Sequence, residues 1–146
     1  MALERRKFKA DPIRSIKVSL TPADFTDGGA AAGTYDFANK KLPAGAIALG
    51  VKVGAAAAWG GDTTAVVIVG TSGDDDAFCE TAVSILAAAA VAGYGAPADL
   101  TAVLMTAETA PRITVTGGSD FTIFVTAGTA KLDVEIFYLD LASKSK

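Results

Sequence analysis

Three consecutive carboxylates, in the stretch Gly73-Asp74-Asp75-Asp76, form the sharpest polar cluster in the sequence. Oxygen-rich clusters bind calcium when a loop presents its ligands at alternate positions. Here they are adjacent, which suits a turn leading into a helix, so no metal site is assigned. Asp62, Glu108 and Asp120 lie near turns and are candidates for paired-carboxylate chemistry, but no spacing pairs them. The chain has no histidine, which removes the commonest general base and the commonest neutral metal ligand. Cys79 is the single cysteine, so no internal disulfide is possible. With no imidazole to activate it, Cys79 reads as a small apolar residue rather than a nucleophile.

Two aromatic residues offer binding rather than catalysis. Trp59, in Trp59-Gly60-Gly61-Asp62, and Tyr94, before Gly95, are candidate platforms for stacking on a sugar ring. A lone tryptophan at a strand end more often closes a core. The stretch Thr116-Gly117-Gly118-Ser119-Asp120 lacks the glycine spacing, lysine and following helix of a phosphate loop. The residues therefore point away from an enzyme and supply no cofactor site.

Charge is distributed unevenly. Residues 1–17 carry six basic side chains against two acidic ones, and the rest carries seven against fourteen, within a formal net charge of −3. A basic arm, 1–12, with Arg5, Arg6, Lys7 and Lys9, thus precedes an acidic body. An acidic body is a poor partner for nucleic acid. The N-terminus has no apolar stretch behind its charges, so it does not read as a secretion signal. The longest apolar run, from Ile85, is far shorter than the ~20 residues of a membrane span. A soluble protein made in a cytoplasm is the expectation.

The elements that would position these residues are mostly strands. In 15–20, Ile16, Val18 and Leu20 share one face and Ser15, Lys17 and Ser19 the other. Tyr35 and Phe37 share a face of a short strand. From Ala46, bulky Ile47, Leu49, Val51 and Val53 alternate with Ala46, Ala48, Gly50 and Lys52. That predicts a core face and a face nearly stripped of side chain, against which a second sheet or a neighbouring subunit can pack. Further strands are expected at 64–70, 101–107, 112–117, 120–126 and 131–141. Phe78, Ala82, Ile85 or Leu86 and Ala89 carry the single helical spacing, predicting a short helix or irregular crossover after Ser72. About eight short strands separated by Gly, Pro and Asp turns indicate an all-β antiparallel sandwich or barrel. The expected boundaries are an arm at 1–12, a sandwich domain at 13–142 and a tail at 143–146.

Four stretches in this order and spacing, VSLTPADFTDGG (18–29), LPAGAIALGVKV (42–53), VIVGTSGDDDAF (67–78) and LDVEIFYLDL (132–141), resemble the small jelly-roll head-decoration (cement) proteins of tailed bacteriophages. The resemblance covers roughly residues 15–141 and rests on strand and turn grammar, which phage tail and fibre modules share. It implies a jelly-roll β-sandwich without catalytic residues, and a virion protein made in the host cytoplasm. It also implies a homotrimer on the outer capsid surface, clamping neighbouring subunits of the major capsid protein. Neither nucleic acid nor membrane is an expected partner. Arg5, Arg6, Lys7 and Lys9 are the candidate capsid contacts, and Ala46, Ala48 and Gly50 the candidate subunit contacts. A carbohydrate-binding β-sandwich using Trp59 and Tyr94, or a phage tail or fibre component, is the alternative.

Exposed ion pairs each contribute only ~0–1 kcal/mol, so the arm should tune affinity for an acidic surface rather than create it. Deleting residues 1–10 is expected to leave folding intact, weaken capsid binding modestly and flatten its salt dependence. Binding isotherms at low and high salt test this; identical salt dependence with and without the arm contradicts it.

Overall fold

The computed structural model describes residues 13–98 and 104–141. The basic arm and the C-terminal tail expected from the sequence lie outside the described residues. Nine strands follow in order: β1 Ile13–Leu20, β2 Thr26–Asp27, β3 Ala32–Asp36, β4 Ala46–Ala57, β5 Ala65–Gly70, β6 Val83–Ser84, β7 Ala89–Gly95, β8 Arg112–Gly117 and β9 Lys131–Asp140. One short helix, α1 Thr122–Ala127, precedes β9. The strands form a four-stranded sheet, β1-β9-β4-β7, and a five-stranded sheet, β2-β3-β8-β5-β6. This is the expected all-β antiparallel sandwich.

Its topology is nested. β1 pairs with β9, β3 with β8, β4 with β7 and β5 with β6, all antiparallel. The chain is thus one long hairpin, wound so that successive pairs fall alternately in the two sheets. That is a jelly roll with a short extra edge strand, β2. Side-chain alternation drives it. Leu132, Val134 and Ile136 on β9 are buried, as are Val67 and Val69 on β5 and Ile113 and Val115 on β8. The two inner faces meet on these β-branched and aliphatic residues.

One end of the core is aromatic. Trp59 has no exposed surface. It meets Phe25 and Phe124 edge-on, with ring centroids 5.6 and 5.5 Å apart. Phe121 packs 5.7 Å from Phe124 and 5.8 Å from Phe25. This cluster explains why 120–126 is helical and not the expected strand. A strand would place Phe121 and Phe124 on opposite faces, whereas one helical turn brings both into the core. Asp120 starts the turn by accepting hydrogen bonds from the Thr122 backbone N–H and hydroxyl, at 3.0 and 2.7 Å. Gly128, at φ 67°, ends it in the left-handed conformation.

Of the short helix or irregular crossover expected over 72–90, the chain forms the crossover. The helical spacing there gives no helix. Thr71 Oγ1 accepts hydrogen bonds from the N–H groups of Gly73 and Asp74, closing a turn that leads to buried Phe78 and Cys79. The alanine run then pairs with β4 as β7, tertiary pairing overriding alanine's helical preference. The strand expected at 101–107 is, within its described part, one isolated bridge from Leu104 to Ile47. Met105 hydrogen-bonds to the Ala46 carbonyl beside it, at 2.8 Å.

β4 departs from simple alternation as well. Its register against β9 shifts between Ala48 and Gly50. Leu49 is the extra residue of this bulge, and one extra residue exchanges the two faces. Ala46 and Ala48 therefore point into the core before the shift, and Val51 and Val53 after it. Phe121→Ala is expected to cost ~3–5 kcal/mol, the range for a buried aromatic residue, because it empties the centre of the aromatic cluster. Urea unfolding checks this; a loss below 1 kcal/mol would place the cluster outside the cooperative core.

Candidate interaction surface

The alternation that fills the core leaves the outer face of the four-stranded sheet with an ordered set of side chains. Cross-strand register arranges them in rows. Ile13, Leu139, Ile47 and Leu104 form the first, running from β1 through β9 and β4 to the isolated bridge. Ser15, Phe137 and Gly50 form the second, with Leu49 displaced beside them by the bulge. Lys17, Glu135, Lys52 and Tyr94 form the third, spanning all four strands. Ser19, Asp133 and Gly54 form the fourth.

The face is thus apolar at one end and charged at the other. Leu104 is 48% exposed and Leu49 39%, with Phe137 and Leu139 half-buried between them. At the charged end Lys17 Nζ lies 3.4 Å from Glu135 Oε1, and the Ser19 hydroxyl donates to Asp133. A trough of about 380 Å³ runs across this end, with Gly54 and Ala90 in its lining. Gly54 lets the β7 backbone approach β4 closely: a Cβ there would stand 2.5 Å from the Ala90 carbonyl oxygen. The trough's lining brings Lys17, Lys52, Asp133 and Glu135 together, cations beside anions.

The residues singled out from the sequence fall in different places. Arg5, Arg6, Lys7 and Lys9 lie outside the described residues. Ala46 and Ala48 have no exposed surface, so the small-residue face packs on this chain's own second sheet and is not open to a neighbour. Gly50 alone of that set reaches the outer face. Trp59 is buried and offers no face to a sugar, whereas Tyr94 is 70% exposed. Cys79 is buried, and desolvation pushes its thiol pKa up, away from a reactive thiolate. Asp62 and Asp120 serve local turns. Asp62 accepts hydrogen bonds from the Thr63 and Ser119 N–H groups, at 2.6 and 2.8 Å, and these bonds lower its pKa. Glu108 pairs with Lys41 at 3.5 Å. The apolar end of the face was missed because its signal depends on the Leu49 bulge.

The carboxylates of Asp74, Asp75 and Asp76 gather within 4.8 Å of one another. A hydrogen bond with the Asp76 side chain raises the Asp74 pKa, helped by desolvation and the neighbouring charges. Asp36 shifts the opposite way. Arg112 donates to both of its carboxylate oxygens, at 2.7 and 2.8 Å, bridging β3 and β8 and lowering the Asp36 pKa.

The comparisons with known proteins bear on the fold. The chain is similar to a chain of the "Cyanophage Pam1 capsid asymmetric unit", with a TM-score of 0.53 and 21% identity over 88% of this chain and 83% of that one. No family model and no curated protein matches the sequence. The likeness supports the sandwich architecture, shared with a chain from a phage capsid structure.

Because its folded pKa is lowered, Asp36 contributes stability that is present above the ordinary carboxylate pKa and lost as pH falls through the lowered value. Asp36→Asn is expected to remove that part of the acid sensitivity. Urea midpoints measured from neutral to strongly acidic pH check this; parallel curves for the two proteins contradict it.

Proposed function

We propose that this chain is a structural virion protein that decorates and stabilises the outer surface of a tailed-phage capsid. The observation that carries this reading is the outer face of the β1-β9-β4-β7 sheet, an apolar end joined to a charged end. The similarity to a chain of a phage capsid structure supports it, as does the resemblance to head-decoration proteins. The partner is the major capsid protein, and the chain acts by clamping its neighbouring subunits without performing a reaction. Leu49, Leu104, Phe137 and Leu139 supply apolar area to be covered, each already partly covered and so contributing at most about half of the roughly 1.5–3 kcal/mol for burying a fully exposed side chain. The charged rows fix orientation, and Arg5, Arg6, Lys7 and Lys9 reach acidic groups on the shell.

The cement-protein resemblance implies a trimer. The small residues first expected to mediate it are largely in the core, so self-association must use another surface. The carbohydrate reading loses Trp59 and retains only Tyr94.

Co-sedimentation with purified capsids tests the proposal. The chain is expected to pellet with capsids and to ignore a glycan array. Leu49→Glu, which puts a charge on the exposed bulge, is expected to weaken capsid binding about tenfold or more while leaving the far-UV circular dichroism unchanged. Glycan binding without capsid binding would overturn the reading.

A further inference from the structure

Four rows of side chains cross the outer face of the β1-β9-β4-β7 sheet, and the first of them starts at Ile13. Ile13 is also where residues 1–12 join the described chain. The basic segment is therefore tethered at the apolar end of this face, and chain geometry sets its reach. The five residue steps from Ile13 back to Phe8 span at most about 17 Å. Neighbouring strands stand about 4.8 Å apart and successive rows about 6.7 Å. Phe8 thus reaches Phe137, one strand and one row away, with chain left over for a reversal. Asp11 and Pro12 are residue types that favour a turn there.

The second row has room for an aromatic side chain. Phe137 stands between Ser15 and Gly50, whose side chains are small or absent, with exposed Leu49 beside them. The rows beyond it hold charges of both signs. Glu135 keeps acceptor capacity beyond its 3.4 Å pair with Lys17. Lys52 forms no ion pair among the described residues. Both line the trough of about 380 Å³, together with Asp133. An extended segment turns alternate residues to one side, again about 6.7 Å apart. In residues 4–9 that puts Phe8, Arg6 and Glu4 on one side and Lys9, Lys7 and Arg5 on the other. Moving away from Ile13, the first side presents an aromatic ring and then one charge of each sign. The face presents Phe137 and then mixed charges, in the same order and at the same spacing.

We infer that residues 1–12 fold back over the outer face of their own sheet in the free protein. Phe8 packs on Phe137 and Leu49, Arg6 meets the carboxylates of Glu135 and Asp133, and Glu4 meets Lys52. An aromatic pair and charge-assisted contacts supply the attraction. The tether at Ile13 makes the docking intramolecular, which favours this chain's own segment over that of a second copy. Lys7 and Lys9 stay in water. On a shell these contacts give way to contacts with the capsid, so the segment contributes to capsid affinity only the difference between two dockings. The inference concerns the free protein and does not rest on the capsid reading.

Hydroxyl-radical footprinting of the full chain without capsid, read at single side chains by mass spectrometry, tests it. Deleting residues 1–10 is expected to raise the oxidation rates of Leu49 and Phe137 about threefold or more, the effect of losing a cover that is in place most of the time. Tyr94, 70% exposed on β7, is the unchanged reference. Within the full chain, Phe8→Glu and Arg6→Glu are expected to expose Leu49 and Phe137 in the same way, and Lys7→Glu is expected to leave them protected. Should the deletion misfold, these point variants decide. Equal rates with and without residues 1–10, protection that grows with protein concentration, or Lys7→Glu acting as strongly as Arg6→Glu would each overturn the inference. With no capsid present, such a failure leaves the capsid reading to co-sedimentation.

Discussion

The structure depends first on the pairing of β9 with β1 on one side and β4 on the other. β9 is the last strand, yet it lies inside its sheet, and its Leu132, Val134 and Ile136 are buried. Through it the first strand of the sandwich meets the last, in unbroken register from Ile13–Leu139 to Leu20–Leu132. The remaining pairs nest within that outer one. The two-residue period of β9 sets both the core and the outer face, since the residues between the buried ones are Asp133, Glu135, Phe137 and Leu139. Core and candidate interaction surface are two sides of one alternation.

The bulge at Leu49 couples the two further. Without it, Leu49 would point inward with Val51 and Val53, and Ala46 and Ala48 would face outward. With it, the alanines fit under the neighbouring sheet and Leu49 turns to solvent beside Phe137. A single inserted residue thereby moves apolar surface from the inside of the sandwich to the outside. Natural sheets use bulges to re-aim side chains in this manner.

Much of this was legible in the sequence. Strict alternation identified β1, β3 and β9, and the continuous apolar run at 64–70 marked the strand β5. What was not legible shares one physical character: the outcome was decided by partners distant in the chain. Phe121 and Phe124 are helical because Trp59 and Phe25 wait for both. Ala89, Ala90 and Ala92 lie in a strand because β4 is there to pair with β7. Register at the bulge is set by Tyr138 and Phe137 of β9, more than eighty residues away, so no local window could reveal it. The outer face was accordingly the least readable part, for it is assembled from four strands and depends on their mutual register. Single residues fared better. Cys79 is the inert buried thiol its surroundings implied, and Trp59 closes a core.

The pairing of β1 with β9 also has a consequence for synthesis. Contacts that join residue 13 to residue 139 span almost the whole chain, and such contacts form late, because loop-closure entropy opposes them until most of the fold is present. Until β9 has left the ribosome, an inner strand of one sheet is missing. β1 and β4 then have no common neighbour, and their apolar faces stay in water. The sandwich is therefore completed only once β9 has emerged, and the nascent chain is a natural client for chaperones until then.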